Sequence, residues 1–450
     1  MTSTMKTLPL AALLLVAMSL AQAQAKDTDA SKLGGPLTPV GAEQSGNADG
    51  SIPAWNGGLK PGAAAIEANG NYIDPFAAEK PLYVITKANA EEYKALLTAG
   101  QHALLTRFAN YRINVYPSHR TARIPQKYQD ESRANVTKVE LLEGGNGLKN
   151  YGFGVPFPLP TKGLEVIWNH LTRYRGGAVQ REFASATVQE DGAYTLVTYD
   201  SLSAFRENVK DLQPDANLLF YTYSRTTSPA RYAGEVVLAH EPIDQVAEPR
   251  NAWQYIPGQR RVRRAPTVAY DSSARYTFGQ VVSDSLDGYN GAPDRYEWNL
   301  LGKQERLVPY NAYRLMDKHH SYDDLLKAGV VNADMTRYEK HRVWVVEATL
   351  KPSQRHVYSK RRYYIDEDSW QILGAELYDS RGELWRVQEN HMAQFHDVEV
   401  PYYAGEMTYD LIAGRYAVNN ITNGVNHKWT WGQMLTKSEF TPAQLKRLGN

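Results

Sequence analysis

The residue types that perform covalent chemistry occur in this chain, but their spacing matches none of the common catalytic patterns. The 450 residues contain no G-x-S-x-G nucleophile elbow, no G-x-x-x-x-G-K-[ST] phosphate loop and no H-E-x-x-H zinc helix. The chain has no Cys, which excludes thiolate zinc sites, iron–sulfur clusters, cysteine nucleophiles and disulfide bonds. We therefore expect no catalytic residue, no cofactor and a protein that is not an enzyme.

Two clusters contain metal-ligating residue types, and a simpler interpretation is favoured for each. Neighbouring residues on a strand or helix point in different directions, so one metal ion rarely binds both His319 and His320. A solvated loop explains that pair and the nearby Asp317, Asp323 and Asp324 more simply. The acidic run 366–368 suggests paired carboxylates or a calcium loop, but its place between two predicted strands favours a hairpin turn. We expect no metal site.

A basic segment offers a binding surface of another kind. In the run Arg260-Arg261-Val262-Arg263-Arg264, a strand would place Arg261 and Arg263 on one face. Such a pair suits an acidic partner, or the phosphate or carboxylate of a lipid. The alternative is a charged strand edge that prevents sheets from aggregating.

Large apolar side chains alternate along successive predicted strands in the second half of the chain. A curved sheet lined by them would hold an apolar chain in its concavity. An ordinary sheet core explains the same alternation. The candidate groove residues are Trp344, Val346, Leu350, Tyr363, Trp370 and Trp385.

The elements that must position these residues are mainly strands. Short polar turns separate the last four predicted strands, which predicts an antiparallel meander because parallel pairs need long crossovers. The fold class is therefore mainly β with helices (α+β): a large curved antiparallel sheet with a few helices packed on it. Helices are predicted at 89–108, from about Thr161, at 321–327 and at 441–448. Strands are predicted at 181–189, 193–199, 218–225, 232–240, 276–283, 342–350, 357–365, 369–378 and 384–390.

The N-terminus reads as a targeting segment. Lys6 precedes an apolar run and two overlapping A-x-A sites within residues 1–25, the pattern of a cleavable signal peptide. No Cys follows the cleavage sites, so we expect an unlipidated periplasmic protein. Residues 26–75 are rich in Gly and Pro and predict an extended arm, and residues 76–450 predict a single β-rich domain. With 50 Lys and Arg against 49 Asp and Glu, a nucleic-acid partner is not expected.

Several segments resemble a known family. The stretch 253–264 (WQYIPGQRRVRR) and the stretch 362–372 (RYYIDEDSWQI) resemble outer-membrane lipoprotein-sorting proteins. The stretch GNADGSIPAWNGG at 46–58, together with WTWG at 429–432, resembles the domain of unknown function 1329 family. The resemblance implies a LolA-like fold, an open half-barrel of antiparallel strands with helices packed in or over its concave face as a lid. Relatives of this kind carry acyl chains between the sheet and the helices.

Three functions are consistent with these observations. The leading one is a periplasmic carrier or acceptor of a lipid or other hydrophobic molecule that serves envelope transport. The resemblance also implies exporters of the resistance-nodulation-division type as partners. The second is therefore a non-catalytic assembly partner of such a transporter or of an outer-membrane protein. The third, an envelope hydrolase, ranks last because no acid–base pair or nucleophile can be singled out.

Overall fold

The structure is a computed structural model that describes residues 26–265 and 270–449. The predicted signal peptide lies outside these residues. Within them, no helix combines the length and the apolar character that a membrane span requires. Residues 26–75 form no long helix or strand, and they run over the body of the protein with Leu33 and Ile52 fully buried.

One sheet of sixteen strands dominates the described part of the chain. Its strands follow the order β1-β2-β12-β13-β14-β15-β16-β17-β5-β6-β7-β8-β9-β10, with β11 paired to β12 and β18 paired to β5. The pairs are antiparallel, apart from one parallel contact between β12 and β2. β10 and β1 end the order and do not pair with each other, so the sheet is not closed. This confirms the large open antiparallel sheet that the sequence predicts.

The strands are β1 Tyr83–Ile85, β2 Ile113–Val115, β3 Glu140–Leu141, β4 Leu148–Lys149, β5 Ala178–Val188, β6 Tyr194–Phe205, β7 Phe220–Ser228, β8 Val236–Glu241, β9 Asn251–Ile256, β10 Arg261–Arg264, β11 Tyr296–Pro309, β12 Tyr338–Leu350, β13 Lys360–Asp366, β14 Ile372–Tyr378, β15 Leu384–Phe395, β16 Val400–Asp410, β17 Tyr416–Ile421 and β18 Thr430–Trp431. The small β3–β4 pair stands apart from the main sheet.

The described residues form five α-helices. They are α1 Ala99–Arg107, α2 Gln126–Lys138, α3 Gly163–Thr172, α4 Tyr322–Leu325 and α5 Pro442–Gly449. Of these, α1, α3 and α5 pack on this sheet. Short 3-10 helices occur at Ala30–Lys32, Ala90–Tyr93, Glu143–Gly145, Arg206–Asn208, Pro257–Gln259, Ser283–Ser285, Pro293–Arg295, Ala333–Met335 and Lys437–Phe440.

The predicted helix at 89–108 is interrupted. Only its second half is α-helical, because Thr98 and Gln101 form a capping box that starts a new helix at Ala99. Ala90–Tyr93 forms a separate 3-10 turn. The sequence analysis missed α2, whose polar composition gives a weak apolar stripe. The helices predicted near Thr161, at 321–327 and at 441–448 correspond to α3, α4 and α5.

The predicted strand at 276–283 is wrong. The segment consists of turns, and its backbone has positive φ at Tyr276 and Phe278, a conformation that a regular strand does not contain. It crosses the face of the sheet that we call the inner face. The other predicted strands are confirmed, with ends displaced by a few residues.

Strand register defines the inner face. Residues directly opposite each other in paired strands project to the same side. One row of such residues crosses eight strands through Val346, Tyr363, Ala375, Gln388, Thr408, Ala417, Thr187 and Thr195. The two ends of this face are occupied very differently.

Over β11–β14, the inner face is covered by α3. Val166, Ile167 and Trp168 of α3 belong to one apolar cluster with Val346 and Tyr363 of the sheet. The helix begins close to β11, where a Cβ on Gly163 would lie only 2.9 Å from the carbonyl oxygen of Trp298. We call this region the filled half. Within the described residues, no α-helix lies over the inner face of β5–β9, and we call this region the hollow half.

Candidate functional site

A cavity of about 350 Å³ lies on the inner face of the hollow half. Its volume falls at the lower end of the range that small-molecule sites occupy. Aromatic rings from β5, β6, β7 and β16 form much of its wall. These rings belong to Phe183, Tyr199, Phe205, Phe220 and Tyr402.

Small side chains form the floor of the cavity. Strands β6–β9 contribute Ser201, Ser203, Thr222, Ser224, Ala239 and Ala252. The Ser201 hydroxyl donates to the carbonyl oxygen of Tyr223 at 2.9 Å, and the hydroxyls of Ser203 and Thr222 pair with each other at 2.8 Å. Because these hydroxyls already have partners, the floor presents mostly carbon surface to a ligand.

The segment 273–290 covers the cavity. Tyr276 donates from its hydroxyl to Glu235 Oε2 at 2.8 Å, and Arg275 forms an ion pair with the same carboxylate. The carbonyl of Tyr276 accepts a hydrogen bond from Thr187 Oγ1 at 3.2 Å. The cover is thus a loop tied to strands on two sides, and the helical lid that the resemblance implies does not lie over this cavity.

Charged groups gather at one end of the cavity, which we call the arginine end, formed by Arg175, Arg181, Asp287 and Glu406. Asp287 forms ion pairs with Arg175, at 2.8 Å, and with the neighbouring Arg173. Burial opposes ionisation of Asp287, but the two guanidinium groups outweigh it and lower its pKa to about 2. Asp287 is therefore a carboxylate at neutral pH.

Glu406 lies at the same end in a different electrostatic state. Burial raises the pKa of Glu406 to about 7, and the charge of Asp287 adds to the effect. Asn419 Nδ2 donates to Glu406 Oε2 at 2.8 Å, while Oε1 has no partner among the described residues. The Glu406 carboxyl is thus poised to change charge near neutral pH.

The candidate groove residues predicted from the sequence lie elsewhere. Trp344, Val346, Leu350, Tyr363, Trp370 and Trp385 all belong to the apolar cluster of the filled half or pack against it. Val346 and Tyr363 are fully buried, and the rings of Trp344 and Trp370 stack at 6.2 Å. None of the six lines the cavity described above. Val346 and Tyr363 lie on the same face of the sheet as the cavity, but α3 packs over them.

The predicted docking residues Arg261 and Arg263 lie on the same inner face, in line with the hollow half. Arg263 pairs with Gln254, and the row continues through Val237, Ser224 and Ser201 to Arg181. Arg261 and Arg263 are exposed on β10. Neither forms an ion pair with the part of the chain that the structure describes. Both therefore extend the cavity's face to an edge of the sheet.

The acidic run 366–368 turns the chain between β13 and β14 as predicted, but it is buried rather than solvated. Arg120 binds Asp368 through two contacts at 2.7 and 2.8 Å, and Arg342 and Lys303 bind Glu367 at 3.1 and 2.9 Å. Arg120 also donates to the carbonyl oxygen of Glu43 at 2.7 Å. This network joins the N-terminal stretch to the sheet.

One group of potential metal ligands adjoins that network. Ligand atoms of His341, Asp366 and Asp368 lie within 4.8 Å of one another. The Tyr310 and Ser369 hydroxyls already donate to Asp366, and Arg120 occupies Asp368. The geometry therefore favours a hydrogen-bonded ion-pair cluster. His319 lies in an exposed loop, where its Nδ1 is 2.8 Å from Asp317.

The cavity residues gave little signal in the sequence. Arg181, Asp287 and Glu406 come from three distant parts of the chain, and Asp287 follows a segment predicted to be a strand. The one local indication was the run of small residues at alternate positions in β6–β9. The aromatic residues that were the groove candidates lie in the filled half instead.

Comparisons with known proteins agree with the resemblance seen in the sequence. The chain is 50% identical over 424 residues to the uncharacterized protein PA3922 of Pseudomonas aeruginosa, covering 94% of this chain and 93% of that protein. Among solved structures, it is similar to a putative outer membrane lipoprotein-sorting protein domain from Vibrio parahaemolyticus (15% identity, TM-score 0.44). A DUF1329 family protein from Desulfovibrio piger is similar at 14% identity and a TM-score of 0.43. Each alignment covers 63% of this chain and 97% of the other.

A family model also matches directly. It is described as "Protein of unknown function (DUF1329)" and covers residues 84–446, from β1 to α5 and therefore the whole sheet except the first residue of β1. Because this match and the 50% identical relative both extend over most of the chain, the protein belongs to the DUF1329 family.

Proposed function

We propose that the protein is a periplasmic carrier or acceptor of a lipid or similar hydrophobic molecule, which it holds in the cavity of the hollow half without changing it chemically. The observation that carries the proposal is the cavity itself, with its aromatic wall, carbon-rich floor and looped cover. The described site combines ion pairs with apolar surface, and it places no nucleophile beside a general base. It therefore suits binding.

The energy of such binding comes from removing an apolar chain from water. Each buried methylene contributes about 0.8 kcal/mol, so about ten of them contribute roughly 8 kcal/mol. That sum corresponds to a Kd of about 1 µM before the entropy costs of association are subtracted. A carrier needs an affinity of this order, since it must also release its cargo.

The proposed location rests on residues 1–25, whose sequence has the features of a cleavable signal peptide. Periplasmic placement gives a carrier an aqueous space in which apolar cargo needs shielding. The intact mass of protein recovered from the periplasm is expected to match an unlipidated chain that starts at Gln24 or Lys26.

A second function is favoured by Arg261 and Arg263. These exposed cations lie on an edge strand of the sheet, where an acidic surface of an envelope transporter or of an outer-membrane protein would bind. Such docking is compatible with cargo transfer, since the pair lies on the cavity's side of the sheet. An exporter of the resistance-nodulation-division type is the partner that we propose.

Binding of a fluorescent fatty-acyl probe tests the carrier function. The full mature chain, purified from the periplasm, should release lipid on organic extraction, and the delipidated protein should then bind the probe saturably. An excess of the extracted lipid should displace the probe. If the purified protein releases no lipid on extraction, and the folded, delipidated protein shows no saturable probe binding, the carrier function is wrong. The docking function then takes its place.

A further inference from the structure

The arginine end of the cavity carries a cation that the fold itself does not neutralise. Arg181 lies in the cavity wall and forms no ion pair with the residues that the structure describes. Its Nη1 donates to Asn420 Oδ1, and its buried Nε has no partner. An unpaired guanidinium in a partly buried site is unfavourable unless another group supplies the negative charge.

The surroundings of Arg181 hold its guanidinium in place. The group lies 4.6 Å from the ring centre of Phe183, 5.1 Å from that of Tyr402 and 5.3 Å from that of Trp429. Asn420 reaches it because the β5–β17 register shifts between Val418 and Ile421, with Asn420 at positive φ. A bulge and three rings thus orient a fork of donors at the cavity.

The charge balance at this end leaves a positive excess. Arg173 and Arg175 share Asp287 between them, so two cations already face one carboxylate. Arg181 adds a third cation, and Glu406 is the other carboxyl at this end. Burial favours the neutral form of Glu406, which leaves the excess at one to two positive charges.

The rest of the cavity differs from this end. From Arg181 the inner face continues over Ser201 and Ser224 to Val237, with Ala239 and Ala252 beside them. The other cations in the lining are paired, since Arg250 lies 2.6 Å from Glu241 and Arg275 binds Glu235. The four strand spacings from β5 to β9 span roughly 19 Å. One unpaired cation therefore adjoins a long, weakly polar surface.

We propose that the cavity selects an anionic amphiphile, whose carboxylate or phosphate binds the Arg181 guanidinium while its hydrocarbon chain lies along β6–β9. This inference rests on the proposed carrier function and adds the chemical class of its cargo. A guanidinium binds a carboxylate or a phosphate through two parallel hydrogen bonds, which a neutral alcohol cannot match. A fatty acid and a phosphate-bearing lipid share this chemistry.

The test compares three ligands of one chain length: dodecanoic acid, dodecyl phosphate and dodecanol. Each displaces a fluorescent fatty-acyl probe from the delipidated full chain, for the wild type and for Arg181→Met, Arg181→Lys and Arg225→Met. Arg225 is the matched control, because it lies on the opposite face of the same strands. Its neighbours in register are Asp200 on β6 and, beyond it, Glu182 on β5. Thermal unfolding of each variant verifies that it folds.

We expect the wild type to bind one or both anions at least tenfold more tightly than dodecanol. Arg181→Met should abolish that preference while dodecanol binding changes less than threefold, Arg181→Lys should restore part of it, and Arg225→Met should leave it intact. The ranking of dodecanoic acid against dodecyl phosphate identifies the source of the anion.

Two results would overturn the inference, and they are distinguishable. If dodecanol binds as well as both anions, or if Arg181→Met weakens all three ligands equally, the assignment of the head group is wrong but the carrier function stands. If the wild type binds none of the three, the carrier function and the assignment are both wrong.

Discussion

The two halves of the inner face share the same alternation of inward and outward side chains, yet one half is a packed core and the other encloses a cavity. In the filled half, large inward side chains such as Trp344 and Tyr363 line the sheet, and α3 closes the space above it. In the hollow half, inward residues such as Ser201, Ser224 and Ala239 are small, and only a loop lies above them. Side-chain size and the position of one helix therefore decide which half becomes a core and which becomes a cavity.

The two halves also treat buried charge differently. In the filled half, Arg361 is fully buried, but Asp284 lies 2.8 Å from it and the rings of Tyr289, Tyr296 and Tyr358 surround it. In the hollow half, rings surround the guanidinium of Arg181, and no carboxylate among the described residues forms an ion pair with it. A structural cation and a ligand-binding cation are thus distinguished by whether the fold supplies the counter-charge.

The largest expected difference between the halves is in the cost of removing a side chain. Trp370→Ala should lower the free energy of unfolding by about 3–5 kcal/mol, because the ring is 1% exposed and its Nε1 donates to the carbonyl of Val40. Ser224→Ala in the hollow half should change that free energy by less than about 0.5 kcal/mol. Urea unfolding measures both. Equal losses would show that the hollow half is packed as tightly as the filled half.

Enlarging a side chain should also destabilise the filled half more than the hollow half. Ala375→Leu should lower the free energy of unfolding by about 1–3 kcal/mol, because Ala375 is 1% exposed in a packed core. Ser224→Leu should cost less than about 1 kcal/mol, since the cavity accepts the added carbons, yet it should weaken binding of the fatty-acyl probe at least tenfold. A Ser224→Leu protein that unfolds easily, or that binds the probe normally, would contradict the cavity assignment.

The pH dependence of stability should also differ between the halves. The pKa of Glu406 is raised to about 7 in the folded state, so its contribution is most favourable below its ordinary pKa of 4.5 and is lost as the pH rises through about 7. We expect Glu406→Gln to reduce the stability loss between pH 5 and pH 8 by about 1–2 kcal/mol, because Glu406 is only half-buried and solvent screens part of the effect.

Asp284, which forms an ion pair with Arg361 of the filled half, provides the opposite sign as a control. Arg361 and His356 outweigh the effect of burial and lower the pKa of Asp284, so its contribution is present above pH 4 and is lost as the pH falls further. Asp284→Asn should therefore change the acid side of the stability profile and leave the slope between pH 5 and pH 8 as in the wild type. The two profiles can be measured by urea unfolding at fixed pH values.

The smallest effect on stability is expected at the edge strand. Replacing Arg261 and Arg263 by Ser should change the free energy of unfolding by less than about 0.5 kcal/mol, because both side chains are exposed and unpaired among the described residues. Binding to anionic lipid vesicles or to an acidic partner should weaken measurably. A large loss of stability with unchanged binding would instead make the pair structural.

The sequence predicted the sheet more successfully than the site, and the reasons are physical. Period-two alternation and turns such as Lys351-Pro352 are local signals, and they correctly indicated the β12–β15 meander. A cavity has no such signal, since a strand with small inward residues reads as a weak strand. Large aromatic residues such as Trp344 and Trp370 suggested the lining of a groove, yet their bulk fills the space that a groove would need.

Long-range placement explains the rest of the difference. Arg181 and Asn420 are 239 residues apart in the chain and meet only because β17 pairs with β5 across a bulge. Asp287 reaches the cavity from a segment whose composition resembles a strand but which forms turns with positive φ. Contacts of this kind depend on sheet order, which local patterns do not encode. Arg261 and Arg263 were recognisable because a run of like charges is itself a local signal.

Photo-crosslinking tests the central claim most directly, because it reports where on the inner face a ligand lies. The delipidated full chain is mixed with a diazirine-bearing fatty acid, irradiated, and digested for peptide mapping by mass spectrometry. We expect crosslinks to concentrate in β5–β9 and in the cover at 273–290, and an excess of dodecanoic acid to suppress them. Crosslinks concentrated instead around Trp344, Tyr363 and Trp370 in the filled half, or labelling that no competitor reduces, would contradict the central claim.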